Sequence, residues 1–231
     1  MASASEKEFR EPVMAALREW DVALAGIADL TGIETPRDEG GKPFPRAVSF
    51  AVLMDPAIMA SIRTGPNDSY AEEYRRVNAL IDEIALAVEG TIRTAGFRAL
   101  TIPASDRTDP VNIRGAFPHK TAATRAGLGW IGRNCQLISR RHGPWLRLGT
   151  ILTDLPASVD TAVIKHFCGA CRKCVDACPA NALAGTAWEP GMPRHELLDA
   201  LRCDRWKKEH FFQFNQGHNC GICAAVCPFG K

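Results

Sequence analysis

No apolar run in this chain of 231 residues approaches the ~20 residues a membrane-spanning helix needs. The first dozen residues, Met1 to Pro12, are charged and contain no apolar signal segment, so we expect a cytoplasmic protein with reduced thiols. No block of five or six like charges occurs, and the formal net charge is only +2. Composition therefore gives no electrostatic case for nucleic acid as a partner. Low-complexity stretches are missing, and the only internal repetition is between two cysteine runs. With hydrophobic residues at 46% and charged residues at 23%, the rest has the composition of an ordinary globule.

Cysteine is abundant, and eight of the nine fall in the last third. They read Cys168-x2-Cys171-x2-Cys174-x3-Cys178-Pro179, then Cys203, then Cys220-x2-Cys223-x3-Cys227-Pro228. In the bacterial two-cluster pattern, three closely spaced cysteines hold one 4Fe-4S cubane and the fourth, before proline, reaches the other. The second run keeps only three positions, so Cys203 substitutes for the missing one. This assigns Cys168, Cys171, Cys174 and Cys227 to cluster I, and Cys203, Cys220, Cys223 and Cys178 to cluster II. Zinc sites favour separated pairs or cysteine mixed with histidine, and disulfides suit oxidising compartments. Eight thiolates and two oxidised cubanes would bring the formal charge to about −2. Cys135 has no place in either set.

Such a cluster unit is stapled by iron and sulfide, whereas the preceding residues must fold by burial. The expected division is an α+β unit over 1–158, holding cofactor or substrate, and a small ferredoxin-like double-cluster unit over 159–231. Along the first unit, periodicity predicts a helix over Glu6–Trp20, a strand over Val22–Ile27, a loop over Thr31–Pro45 and a strand over Ala47–Met54. Tyr70, Tyr74, Val77, Ile81, Ile84, Val88 and Ile92 then share one face of a long helix stopped at Gly96. The two tyrosines are placed to reach a pocket at its start, although that spacing equally describes core. A strand over Phe97–Ile102, a loop over Pro103–Pro118 and a helix over His119–Arg125 follow. Strands over Gln136–Ser139 and Trp145–Leu152 and a linker over Pro156–Asp160 complete the unit. Between Cys203 and Cys220 sit Trp206, Lys207, Lys208, His210, Phe211, Phe212, Phe214 and His218. Basic and aromatic residues together can stack bases, but the favoured reading is a cover that keeps water off a cluster.

Gly127-Leu-Gly-Trp-Ile-Gly-Arg-Asn134 contains G-x-G-x-x-G, and Asp154 lies downstream. A dinucleotide fingerprint needs a strand before the glycines and a helix after them; here the order is inverted. The three glycines still permit close approach of backbone amides to a bound group, with Arg133 offering charge. A tight turn that packs Trp130 is the plain alternative.

Phe117-Pro-His-Lys-Thr-Ala-Ala-Thr-Arg-Ala-Gly-Leu-Gly-Trp-Ile-Gly-Arg-Asn134, Leu148-Gly-Thr-Ile-Leu-Thr-Asp154 and the cysteine array together resemble the epoxyqueuosine reductase family, and reductive dehalogenases share the arrangement. The resemblance implies a nitroreductase-like, cobalamin-binding first unit fed with electrons by two 4Fe-4S clusters. Gly127, Gly129, Trp130, Gly132, Arg133 and Asn134 would then contact the cofactor. The proton-donating aspartate of the family's D-x-x-P-x-x-E-R segment falls at Ile113 here, and its glutamate at His119. His119 is the expected replacement acid, with Lys120 steadying an anionic substrate or a cofactor side chain. No histidine sits in a D-x-H-x-x-G motif, so no lower ligand to cobalt is expected from that source. The chain also stops at Lys231, without the family's tRNA-recognising repeats, so a small organic substrate is expected in place of tRNA. A ferredoxin or flavodoxin would supply the electrons. The competing expectation is a non-catalytic electron carrier for another protein's corrinoid or flavin, and the further alternative is an epoxyqueuosine reductase acting on tRNA.

Overall fold

The computed structural model describes residues 4–230. Helix α1 spans Ala4–Arg18, and strands β1 and β2 span Leu24–Asp29 and Arg46–Leu53. Asp55 then caps an unforeseen short helix, α2 (Pro56–Ser61), its carboxylate accepting from the amides of Ala57 and Ile58 at 2.7 and 3.0 Å. Aspartate at the cap with proline at the first helical position is a strong start signal. The long helix α3 covers Asp68–Thr94 and begins under Asn67, which accepts from the Tyr70 amide at 2.9 Å. It ends before Gly96, whose φ of +87° is the left-handed turn a helix stop requires.

Strand β3 (Ala99–Ile102) is followed by a long loop and then helix α4 over His119–Arg125. Part of the glycine segment is itself a strand: β4 (Trp130–Ile131) pairs with β5 (Leu137–Ile138) in a small hairpin. Strand β6 covers Leu146–Thr153. The main sheet has the order β1-β2-β6-β3 with every pair antiparallel. A dinucleotide fold built on parallel βαβ units is therefore excluded, and Asp154 instead accepts from the Arg98 backbone and guanidinium at 2.8 and 2.7 Å.

Alternation along β2 explains the layers. Val48, Phe50 and Val52 point to one face, where α1 and α3 bring Val13, Leu17, Val77, Ile81, Ile84 and Val88. Each of these α3 side chains is fully buried and contributes about 1.5–3 kcal/mol. Ala28 and Ala47 point to the other face, against Ala122, Ala123 and Ala126 of α4. Small residues let α4 lie close: a Cβ at Gly26 would collide with the Ala126 carbonyl.

The remaining chain is held to this body at many points. Asp160 accepts from Arg10 at 2.8 Å and from the Ile27 amide at 2.8 Å, so the expected linker is pinned to both α1 and β1. Helices α5 (Lys173–Asp176) and α7 (Ile222–Ala225) are single turns carrying Cys174 and Cys223. Between them α6 (Ala200–His210) places Cys203 on a regular helix where the sequence suggested only an aromatic cover. Ala224 and Ala225 join the core with Met54 and Ile62, and the Trp145 indole donates to the Ala224 carbonyl at 3.1 Å. The hydrophobic core thus runs across the 158/159 division expected from cysteine placement. Among the described residues, no helix is long and apolar enough to cross a membrane.

Candidate iron–sulfur centres and reduction site

Cys168, Cys171 and Cys174 come together with Cys227, 53 or more residues away in sequence, around a recess of about 280 Å³ that Ile138, Pro228 and Phe229 complete. Burial raises the Cys174 thiol to about 11, and Cys227, Cys168 and Cys171 beside it push the same way. The other four cysteines form a second neighbourhood. Burial raises Cys220 to about 11, with Cys203 and Cys178 adding to it. Cys223 is pushed well up by burial and by Cys220, Cys203, Cys174 and Cys178. Burial also raises Cys203, again with Cys178 nearby. Among the described residues no three acidic, histidine or cysteine side chains converge on a single ion; the first set rings a space instead. Cysteine ligates iron as thiolate, so loading either set would have to displace these protons.

The glycine segment serves these centres and is closed on itself. A Cβ at Gly129 would fall on the Ile138 carbonyl, and one at Gly132 on the Ile138 side chain and, at 2.7 Å, on Asn134 Oδ1. The missing side chains make room for the β4–β5 hairpin. Trp130 is packed edge-on by Phe167 and Phe229, at centroid distances of 5.1 and 5.0 Å. Arg133 donates to the Gly169 carbonyl at 2.8 Å and to that of Gly185, so it ties down the loops around the first cysteine run. Asn134 donates to the Cys223 carbonyl at 3.3 Å, and Gln136 reaches Cys223 Sγ at 3.6 Å. Lys120 donates to the Cys135 carbonyl at 2.5 Å. Gly127, with φ +75°, turns against the Thr161 carbonyl. These residues do not fit as a corrinoid cradle: the space the glycines open is filled by the protein's own atoms, and the two cations are engaged by backbone carbonyls.

His119 is also differently placed from the expectation. Its Nδ1 lies 2.9 Å from Thr150 Oγ1 and its Nε2 3.3 Å from the Pro103 carbonyl. Burial lowers its pKa to about 4, helped by the cations of Arg147 and Lys120. The ring is neutral at physiological pH with both nitrogens occupied, so it is neither the imidazolium acid expected from sequence nor an open axial donor. Ile113, where the resemblance puts the family's aspartate, sits at φ +54° with its carbonyl held by Arg194 at 2.7 Å.

A polar group that sequence reasoning only brushed lies close by. The Tyr74 hydroxyl is 2.9 Å from Ser105 Oγ, and Arg147 stacks over the Tyr74 ring at 4.1 Å while donating to Asn78 Oδ1 at 2.8 Å and to Ser105. Burial raises the Tyr74 pKa, but Arg147 and the Ser105 hydrogen bond outweigh it, and the net shift is downward. Tyr70 stands one helical turn away, its ring 6.2 Å from that of Tyr74 and edge-on to it. Its hydroxyl meets the second cysteine neighbourhood, since a Cβ at Gly221, between Cys220 and Cys223, would lie 3.0 Å from it. Tyrosine at two successive core-facing positions of α3 was the available signal; Ser105 and Arg147 come from a loop and the start of an interior strand, where no pattern marks them.

The comparisons agree with this architecture. A family model described as a 4Fe-4S double cluster binding domain matches residues 167–230. The epoxyqueuosine reductase of Pseudomonas aeruginosa is 27% identical over 190 residues, covering 75% of this chain and 47% of that protein. The Lactococcus garvieae enzyme of the same name is 33% identical over 126 residues, covering 51% and 33%. The chain thus spans half or less of these relatives. Among solved structures, the catabolic reductive dehalogenase NpRdhA superposes with TM-score 0.75 at 23% identity, over 99% of this chain and 32% of that one. Bacillus subtilis epoxyqueuosine reductase gives 0.63 at 18%, over 97% and 66%. The chain is thus similar in sequence to epoxyqueuosine reductases, matches a 4Fe-4S double cluster binding domain over residues 167–230, and shares its mixed α+β fold with the reductive dehalogenases.

Proposed function

We propose that the chain is an iron–sulfur reductase that moves single electrons through two 4Fe-4S clusters to the Tyr74–Arg147 site, where a small organic substrate is reduced. The observation that carries this reading is the line from the Cys178, Cys203, Cys220 and Cys223 neighbourhood through Tyr70 to Tyr74. Cluster I is held by Cys168, Cys171, Cys174 and Cys227, and cluster II by the other four. When bound, the clusters would supply one-electron transfer from an external carrier to this site. Two electrons passed inward, with one proton from the Tyr74 hydroxyl and one from solvent, complete a two-electron reduction. Arg147 stabilises the phenolate left behind and would equally attract an anionic substrate group.

The nitroreductase-like, cobalamin-binding character of the first unit remains part of the proposal on the strength of the relatives, one of which is a reductive dehalogenase described as B12-dependent. Residues 127–134 are not its cradle, and no step here runs through it. The closed glycine turn favours a second reading, in which the chain reduces another protein's corrinoid or flavin. Anaerobically purified protein should carry about eight irons and an absorption band that dithionite bleaches. Stoichiometric zinc without that band ends both readings. Titration with cob(II)alamin separates them, since only the first predicts a changed cobalt EPR signal.

A further inference from the structure

The two cysteine neighbourhoods differ in exposure. The second cysteine neighbourhood is turned inward, with Gly221 against Ile62 and Tyr70 and α7 in the shared core. In the first run, Gly169, Ala170, Arg172 and Lys173 are all exposed. Next to Cys168 the surface is apolar: Phe167 is 41% exposed and Ile164 65% exposed. Arg140 lies 4.2 Å over the Phe167 ring, Lys165 lines a recess with Ile164, and Arg172 and Lys173 are exposed in the adjoining cysteine run. The carboxylates within these loops are Asp176, 3.9 Å from Arg172, and Glu189, which lines a recess with Ile164 and Lys165.

We infer that this face is the docking surface for a small acidic one-electron carrier protein of the ferredoxin or flavodoxin class. The inference rests on the cluster assignment proposed above and adds where electrons enter. Charge complementarity selects the partner: four cations against two carboxylates attract an acidic protein. The exposed Phe167 and Ile164 give an apolar centre of the kind found inside a polar rim at transient interfaces. Position selects the role, because this apolar centre adjoins Cys168, the first cysteine of the exposed run. With clusters bound, each electron given up by the reduced carrier would enter at the centre that Cys168, Cys171, Cys174 and Cys227 would hold, leaving the carrier oxidised by one unit.

The test is rapid-mixing reduction of the anaerobic holoprotein by reduced flavodoxin, with dithionite as a small reductant for comparison. Lys173→Glu and Arg140→Glu should each slow reduction by flavodoxin about tenfold and flatten its dependence on salt, while the dithionite rate and iron content stay at wild-type values. Lys165→Glu, outside the cysteine run, repeats the test should Lys173→Glu lose iron. Unchanged flavodoxin rates in iron-replete variants would overturn the docking surface and leave the cluster reading standing. A wild type without bleachable clusters would overturn both.

Discussion

The Arg147 guanidinium lies 4.1 Å from the centroid of the Tyr74 ring, and it holds the phenol below the usual range for tyrosine despite burial. Tyr70, the only other tyrosine, is raised instead, because burial, with Tyr74 beside it, outweighs the pull of Arg147. The two phenols should therefore titrate as separate steps on either side of pH ~10. Phenolate difference absorption should lose the lower step in Tyr74→Phe and show it moved upward in Arg147→Met. As the proton donor, Tyr74 loses function when pH rises through its lowered pKa. A single unresolved step in the wild type would contradict the assignment.

His119 titrates in the opposite sense from the role its position suggests. Its folded pKa, about 4, is depressed below the unfolded value near 6.5. Between those values the unfolded chain binds the proton and the folded chain does not, so stability is lost as pH falls through that window and levels off below it. Thermal midpoints measured across it should fall less steeply in His119→Gln than in the wild type. Equal slopes would show that the imidazole is protonated in the folded state.

Much of the scaffold was legible because burial imposes periodicity. The α3 face from Tyr70 to Ile92 and the apolar run of β2 each lie against a single layer, and both elements sit within two residues of expectation. The cysteine spacing equally announced two metal centres. What spacing could not show was occupancy. Gly129, Gly132, Arg133 and Lys120 carry the residue types of a ligand cradle, but the Ile138 carbonyl and the carbonyls of Gly169, Gly185 and Cys135 satisfy them from distant segments. Arg147 and Ser105 escaped because the start of an interior strand and an irregular loop leave no pattern.

Gly129 therefore makes a sharp discriminator. Replacement by Val drives a branched side chain into the Ile138 carbonyl and should cost about 3 kcal/mol, opening the β4–β5 hairpin and loosening Trp130. Thermal unfolding and Trp130 fluorescence should both report the damage. A variant with wild-type stability that failed only to bind an added cofactor would restore the cradle reading.

Arg133→Met should weaken cluster I first. It removes the donors to Gly169 and Gly185, loosening the loops around the first cysteine run while leaving Asn134 on Cys223 intact. Under limited oxygen exposure, the cluster signal assigned to Cys168, Cys171 and Cys174 should decay several-fold faster than in the wild type. The other signal should keep its wild-type rate.

The crossed ligand sets are the centre of the account, and spectroscopy of Cys178→Ala tests them most directly. Cys178 belongs by sequence to the first run and by neighbourhood to Cys203, Cys220 and Cys223. Mössbauer or EPR spectra that resolve two clusters should show Cys178→Ala damaging the one that Cys203→Ala damages, with the Cys171→Ala-sensitive cluster intact. If Cys178→Ala and Cys171→Ala instead remove the same cluster, the assignment of ligands and the inward route through cluster II are both wrong.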